Sequence, residues 1–120
     1  MTDFRTLQVW HRSKALVIVV YRVSESFPKQ EAFGMTSQLR RAAVSVPANI
    51  AEGCRRGHVA EFAQFIRIAL GSLGELETYL ELARNLGWIL DPRPELEECL
   101  ELAKMLHGLL RKYKGKNGNG

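Results

Sequence analysis

At 120 residues the chain has the length of one domain, with no room for two independent cores. Hydrophobic residues make up 46% and charged residues 25%, an ordinary globular balance, and the longest strongly apolar stretch, residues 15–21, is far short of the ~20 residues that a bilayer span requires. The net charge of +4 permits a polyanionic partner without requiring one.

Four apolar-periodic segments follow in chain order. The first covers about residues 6–26. Its centre, Ala15-Leu16-Val17-Ile18-Val19-Val20-Tyr21, has strand propensity, but Leu16, Val20, Val23 and Phe27 step by four, three and four, which predicts a helix. Pro28 ends it. Apolar residues on every side of this segment exceed what one bundle core needs, so self-association is expected. The second segment begins at Met35 and carries the stripe Met35, Leu39, Ala42, Val46 and Ile50. Pro47 inside it removes one backbone donor and predicts a kink; Gly53 and Gly57 offer stops.

The third segment has the most regular pattern. Phe62, Ile66, Ala69, Leu73, Leu76, Leu80 and Ala83 alternate steps of four and three, a seam of coiled-coil type running toward Gly87. Gly71, Ser72 and Gly74 interrupt good helix formers with small residues, each glycine at a cost of ~1 kcal/mol, which predicts close approach of a neighbouring helix there. The fourth segment opens at Asp91-Pro92, read as a cap followed by proline at the first helical position. Its predicted stripe is Leu96, Leu100, Ala103, Leu106, Leu110 and Tyr113. Early glutamates and late Arg111 and Lys112 suit the helix dipole. Four helices with short connections predict an all-α fold, an antiparallel up-down-up-down four-helix bundle over residues 1–113. Residues 114–120 are read as a basic, Gly/Asn-rich flexible tail.

Charge is unevenly distributed. Residues 35–58 hold Arg40, Arg41, Arg55 and Arg56 against Glu52 alone, a balance of +3, whereas residues 59–90 sum to −2. Arg111, Lys112, Lys114 and Lys116 place four cations within six residues. Within the second segment, Gln38, Arg41, Ser45, Asn49 and Glu52, continued by Arg56, fall within an arc of about 80° beside the apolar stripe. This polar stripe is either a solvated face or a hydrogen-bonded ladder at a helix–helix or subunit contact. In the second case Asn49 and Glu52 support assembly, and Glu52→Gln costs on the order of 1–3 kcal/mol.

Several blocks are specific enough to compare with a known family: Trp10-His11-Arg12-Ser13-Lys14-Ala15; Phe27-Pro28 with Glu31 and Phe33-Gly34-Met35; the run from Gln38-Leu39-Arg40-Arg41-Ala42-Ala43 through Val44-Ser45-Val46-Pro47-Ala48-Asn49-Ile50-Ala51-Glu52-Gly53; and Ala69-Leu70-Gly71-Ser72-Leu73. Together they resemble the 23S rRNA intervening-sequence proteins over about residues 4–90. The resemblance implies an antiparallel bundle that often assembles as a pentamer, a cyclic homo-oligomer. Some members are encoded within inserts in ribosomal RNA genes, and a related bundle is the accessory protein of diversity-generating retroelements, which engages a reverse transcriptase and nucleic acid. Gly57-His58, where a small hydroxyl-bearing cap is expected, departs from the pattern.

No catalytic constellation stands out. Cys54 and Cys99 are too few for a disulfide framework or a four-cysteine zinc site. His11, His58 and His107 lie in different segments without the paired Glu-x-x-His units of bundle metal sites, and Gly71-Ser72-Leu73-Gly74 lies in a helical seam, not after a strand as a phosphate loop does. The expectation is a non-enzyme without cofactor or metal. No secretory signal is visible at the amino terminus, so a cytoplasmic location is expected. The predicted partners are further copies of the chain, RNA or DNA backbones, or a protein, and no membrane. The nucleic-acid candidates are Arg40, Arg41, Arg55, Arg56, Lys112, Lys114 and Lys116, with salt-dependent and sequence-tolerant binding. A structural homo-oligomer with no nucleic-acid role is the alternative.

Overall fold

The computed structural model describes residues 3–118, with side chains for 3–113. A 3-10 turn at Phe4–Thr6 precedes α1 (Gln8–Val23). Further turns at Ser24–Ser26 and Lys29–Glu31 lead to α2 (Met35–Arg56), α3 (Val59–Asn85) and α4 (Arg93–Gly118). No strand occurs among the described residues. Helices α1 and α3 flank α2, and α4 packs on both α3 and α1, giving a body of 51 × 23 × 20 Å. The predicted tail, with Lys114 and Lys116, falls outside the described side chains.

The seam of α3 is the spine of the core. All seven of its predicted residues, from Phe62 to Ala83, are buried. Leu39, Ala42, Val46 and Ile50 of α2 face it, with Leu16 and Val20 from α1. In α4 the buried line is Cys99, Leu102, Leu106 and Tyr113, while Leu100 is 56% exposed. The predicted stripe on α4 is therefore rotated. A thiol packs as a small apolar group, and with Cys99 counted among the apolar residues the steps of three, four and seven line up.

Helix ends are set by local chemistry. The Glu31 carboxylate accepts the Met35 N–H at 3.2 Å and caps α2. At the other end Gly57, with φ of +76°, adopts the left-handed conformation that stops a helix at little steric cost. His58 then precedes α3 without a side-chain cap bond. Helix α4 begins one residue later than predicted. The Pro92 carbonyl accepts from Leu96 N–H at 2.9 Å, Asp91 Oδ1 accepts the Arg93 N–H at 3.0 Å, and Pro94 lies in the first turn. Across the bundle, Arg12 of α1 grips Glu98 of α4 with both nitrogens of its fork, Nε at 3.0 Å, which raises the Arg12 pKa further.

The tightest glycine packing between helices among the described residues is at Gly53. A Cβ there would lie 3.1 Å from the Phe65 Cβ and 3.3 Å from the Phe62 carbonyl oxygen, so the hydrogen of glycine lets α2 and α3 meet. Gly71 and Gly74 do not behave as predicted: a Cβ on either meets nothing within 4 Å. Both are exposed on the outer side of α3. Gly53→Val should therefore lower unfolding free energy by about 2–3 kcal/mol through overpacking. Gly71→Ala and Gly74→Ala should each raise it by about 0.5–1 kcal/mol. Urea denaturation followed by helical circular dichroism reads all three.

Candidate functional site

The polar stripe of α2 divides on folding. Its middle is a ladder to α3: the Asn49 amide donates to the Ser45 carbonyl and hydroxyl, both at 2.8 Å. Ser45 Oγ lies 2.7 Å from Ser72 Oγ, and Ser72 donates to the Ile68 carbonyl at 3.1 Å. Those bonds are compatible with one direction of donation, Asn49 to Ser45 to Ser72 to Ile68, which leaves no hydroxyl proton unplaced. Ser72 is 5% exposed, so the ladder is part of the interior. The ends of the stripe, Gln38, Arg41 and Glu52, are exposed. Glu52 pairs with Arg56 at 3.3 Å with both side chains about half exposed, so Glu52→Gln costs less than ~0.5 kcal/mol within the single chain.

The candidate arginines separate by what they touch. Arg40 turns inward. Its Nε donates to Ser24 Oγ at 2.8 Å, its Nη2 donates to the Tyr21 carbonyl at 3.3 Å, and its guanidinium lies 4.5 Å from the Tyr21 ring centroid. It thereby neutralises the negative end of α1. Arg56 meets Glu52 and, at 3.8 Å, Glu61. Arg55 is exposed with its guanidinium 5.5 Å from the Phe4 ring centroid, and Lys112 lies near the Tyr113 ring. Arg41 has no hydrogen bond, ion pair or ring contact among the described residues. It borders an open groove of about 570 Å³ with Tyr21, Phe33 and Val44.

A second cationic group was not singled out in the sequence. Arg67 of α3 and His107 and Arg111 of α4 line one groove of about 490 Å³. All three are exposed and make no hydrogen bond or ion pair among the described residues. The signal available was an arginine among the small and apolar residues of α3, and the absence of any acid from residues 102–113.

Contacts at the helix ends gather these charges. The Arg55 contact with Phe4 joins the end of α2 to the turn before α1, and the Phe62 and Tyr113 rings, 4.8 Å apart, join the start of α3 to the end of α4. Arg55, Arg56, Arg67, His107, Arg111 and Lys112 belong to this end of the bundle. The acids concentrate toward the other: Glu77, Glu95 and Glu98 all act on the Cys99 thiol. Among the described residues no group of three or more His, Cys, Asp or Glu side chains is arranged to hold a metal ion, and no helix is long and apolar enough to cross a membrane.

The sequence pattern of the 23S rRNA-intervening sequence protein family matches residues 5–108. The chain belongs to this family. Its fold is similar to the crystal structure of a protein of unknown function from the S23 ribosomal protein family of Bacteroides thetaiotaomicron VPI-5482. The TM-score is 0.75 at 25% identity, covering 85% of this chain and 97% of that one. No curated protein matches the chain significantly. The family match spans α1 to α3 and most of α4, including the stripe, the ladder and both cationic groups except Arg111 and Lys112.

Two expected outcomes follow from this chemistry. Ser72→Ala and Ser45→Ala should each destabilise the bundle by about 1 kcal/mol, and the double variant should cost less than the sum, because both changes break the same bond; chemical denaturation of the four proteins measures this. Burial, reinforced by Glu77, Glu98 and Glu95, pushes the Cys99 thiol from 9.0 up to about 12, and burial also raises Cys54. In the interval from 9.0 to about 12 the folded state retains a proton that the unfolded chain releases, so stability declines as pH rises through it. Unfolding titrations should show a shallower alkaline decline in Cys99→Ala than in the parent.

Proposed function

We propose that this family member is a non-enzymatic, self-associating bundle that binds nucleic-acid backbones through its basic end. The observation that carries the reading is charge segregation. After internal pairings are met, Arg22, Arg41, Arg55, Arg67 and Arg111 have no carboxylate partner among the described residues, and the last three belong to the same end. A field of this kind attracts phosphates without reading sequence. The family's description refers to 23S rRNA, which makes RNA the first polyanion to test.

The arrangement we infer is up-down-up-down: the two-residue connection from α2 to α3 reverses the chain, and the end contacts place the first turn beside the end of α2. Self-association is supported by apolar surface that the single chain leaves open. On α1, Ile18 is 53% and Tyr21 42% exposed, one turn apart, and Phe33 at 99% and Val44 at 42% lie beside Tyr21. Such a patch is suited to a copy of the chain, and the resemblance favours a cyclic pentamer. A cytoplasmic setting fits a protein whose partner is RNA. The same patch favours a second reading, a structural homo-oligomer without a nucleic-acid role, and a protein partner on the basic end is the remaining one.

Sedimentation at micromolar concentration should give a multiple of 13.6 kDa, and Ile18→Asp with Tyr21→Asp should shift the mass toward the monomer. A monomeric parent overturns self-association. Gel-shift titration at low salt should show retention of RNA that fades steeply as salt rises. No retention at tens of micromolar protein leaves the structural or protein-adaptor reading in its place.

A further inference from the structure

We infer that the groove between α3 and α4 is the seat of the phosphodiester backbone, a site that deepens, and rests on, the nucleic-acid reading above. Its rim is Arg67 on one helix and His107 and Arg111 on the other, and its floor is Val59, Ala60, Ala63 and Leu110. No acid lines it. Elsewhere several exposed arginines sit beside carboxylates, Arg56 with Glu52 and Glu61, Arg84 with Glu81, and Arg93 with Asp91, whereas Arg22, Arg41 and Arg55 have no carboxylate partner among the described residues. In the groove two arginines face each other across an apolar strip with no counter-charge.

The shape and the charge select the same occupant. Each guanidinium presents a planar fork that matches two phosphate oxygens. The floor is of small and aliphatic side chains, against which sugar edges pack. It holds no aromatic ring on which a base would stack, so contact is made through the backbone and is blind to sequence. The groove runs between two long helices, and exposed Lys112 follows Arg111 on α4. A linear polyanion follows such a groove, whereas a compact anion would use one part of it.

The test uses the full chain and a fluorescein-labelled 20-nucleotide polyuridine probe, read by anisotropy across a salt series. Arg67→Glu with Arg111→Glu should weaken binding by at least tenfold. Arg67→Gln with Arg111→Gln should lower the slope of log affinity against log salt by about 1.4, the share of two single-strand phosphate contacts. Ala60→Glu, which puts an acid on the exposed edge of the floor without touching the rim, should weaken binding as well. Arg22→Glu with Arg93→Glu removes the same charge at the other end and should leave affinity within about threefold. All these positions are outside the core, so thermal unfolding should be nearly unchanged and loss of fold separable from loss of binding. If the parent binds but the groove variants match it, the groove assignment is overturned and the nucleic-acid reading stands. If the parent does not bind, that reading fails first. If polyglutamate of equal charge displaces the probe as well as unlabelled polyuridine does, the occupant is an acidic protein surface and the assignment is overturned.

Discussion

The bundle depends on how closely α2 can lie against α3, and that distance is set where Gly53 meets Phe62 and Phe65. With a hydrogen in place of a side chain, the backbone of α2 rests 3.1 to 3.3 Å, measured from a notional Cβ, from the facing helix. Interiors pack at near-crystalline density, so a fixed point of this kind propagates along both helices. Two turns earlier on α2 it leaves Ser45 within hydrogen-bond reach of Ser72. Four residues later Gly57 reverses the chain in a left-handed conformation. Phe62, pinned on one side by Gly53, is met on the other by Tyr113, so the position of α4 also follows from the α2–α3 contact.

This contact has electrostatic consequences. Bringing the end of α2 and the end of α4 beside the start of α3 places cations at helix C-termini, where the dipole favours them. It also gathers charges that are dispersed in sequence. Arg55 and Arg111 are separated by 56 positions yet belong to one end of the fold. The converse gathering puts Glu77 near Glu95 and Glu98 around Cys99, and Arg12 answers Glu98 from α1. The polarity thus arises from topology as much as from composition: a net charge of +4 spread evenly would give a weak field, and sorted by the fold it gives a local one.

What could be read in the sequence tracks how far each feature depends on local periodicity. The seam from Phe62 to Ala83 needs only steps of four and three, and every residue in it is buried. The α4 stripe was displaced because Leu100 looks apolar and Cys99 looks reactive, and only the facing helix decides which points inward. Gly71 and Gly74 were misplaced for a related reason. A glycine in a helix signals either close approach or an undemanding outer position, and the distinction depends on a neighbour absent from the local sequence. Ser45 and Asn49 were visible as a stripe, but their acceptor chain through Ser72 joins residues 27 positions apart. The Arg67, His107 and Arg111 groove joins α3 to α4, so each helix alone shows only half of its signal. The family resemblance carried the fold because its blocks, above all residues 38–53, encode the tight α2–α3 contact.

Arg55, Arg67 and Arg111 lie apart from the open apolar side chains around Tyr21, whose groove Arg41 borders. Tyr21, Phe33 and Val44 lie around the end of α1 and the first half of α2, away from the basic end. Burial of that patch between copies would therefore leave the α3–α4 groove uncovered. A cyclic arrangement would repeat the basic end around the axis at fixed spacing, so that one long polyanion meets several grooves at once. Each groove, with two arginines and a histidine, would supply modest affinity on its own. Repetition raises the effective concentration of the next groove once the first is filled. In this reading assembly and binding are separable in sequence, one written in the apolar excess of α1 and the other in arginines distributed over α2, α3 and α4, and they are joined in function because a weak, sequence-blind site becomes useful only when symmetry multiplies it.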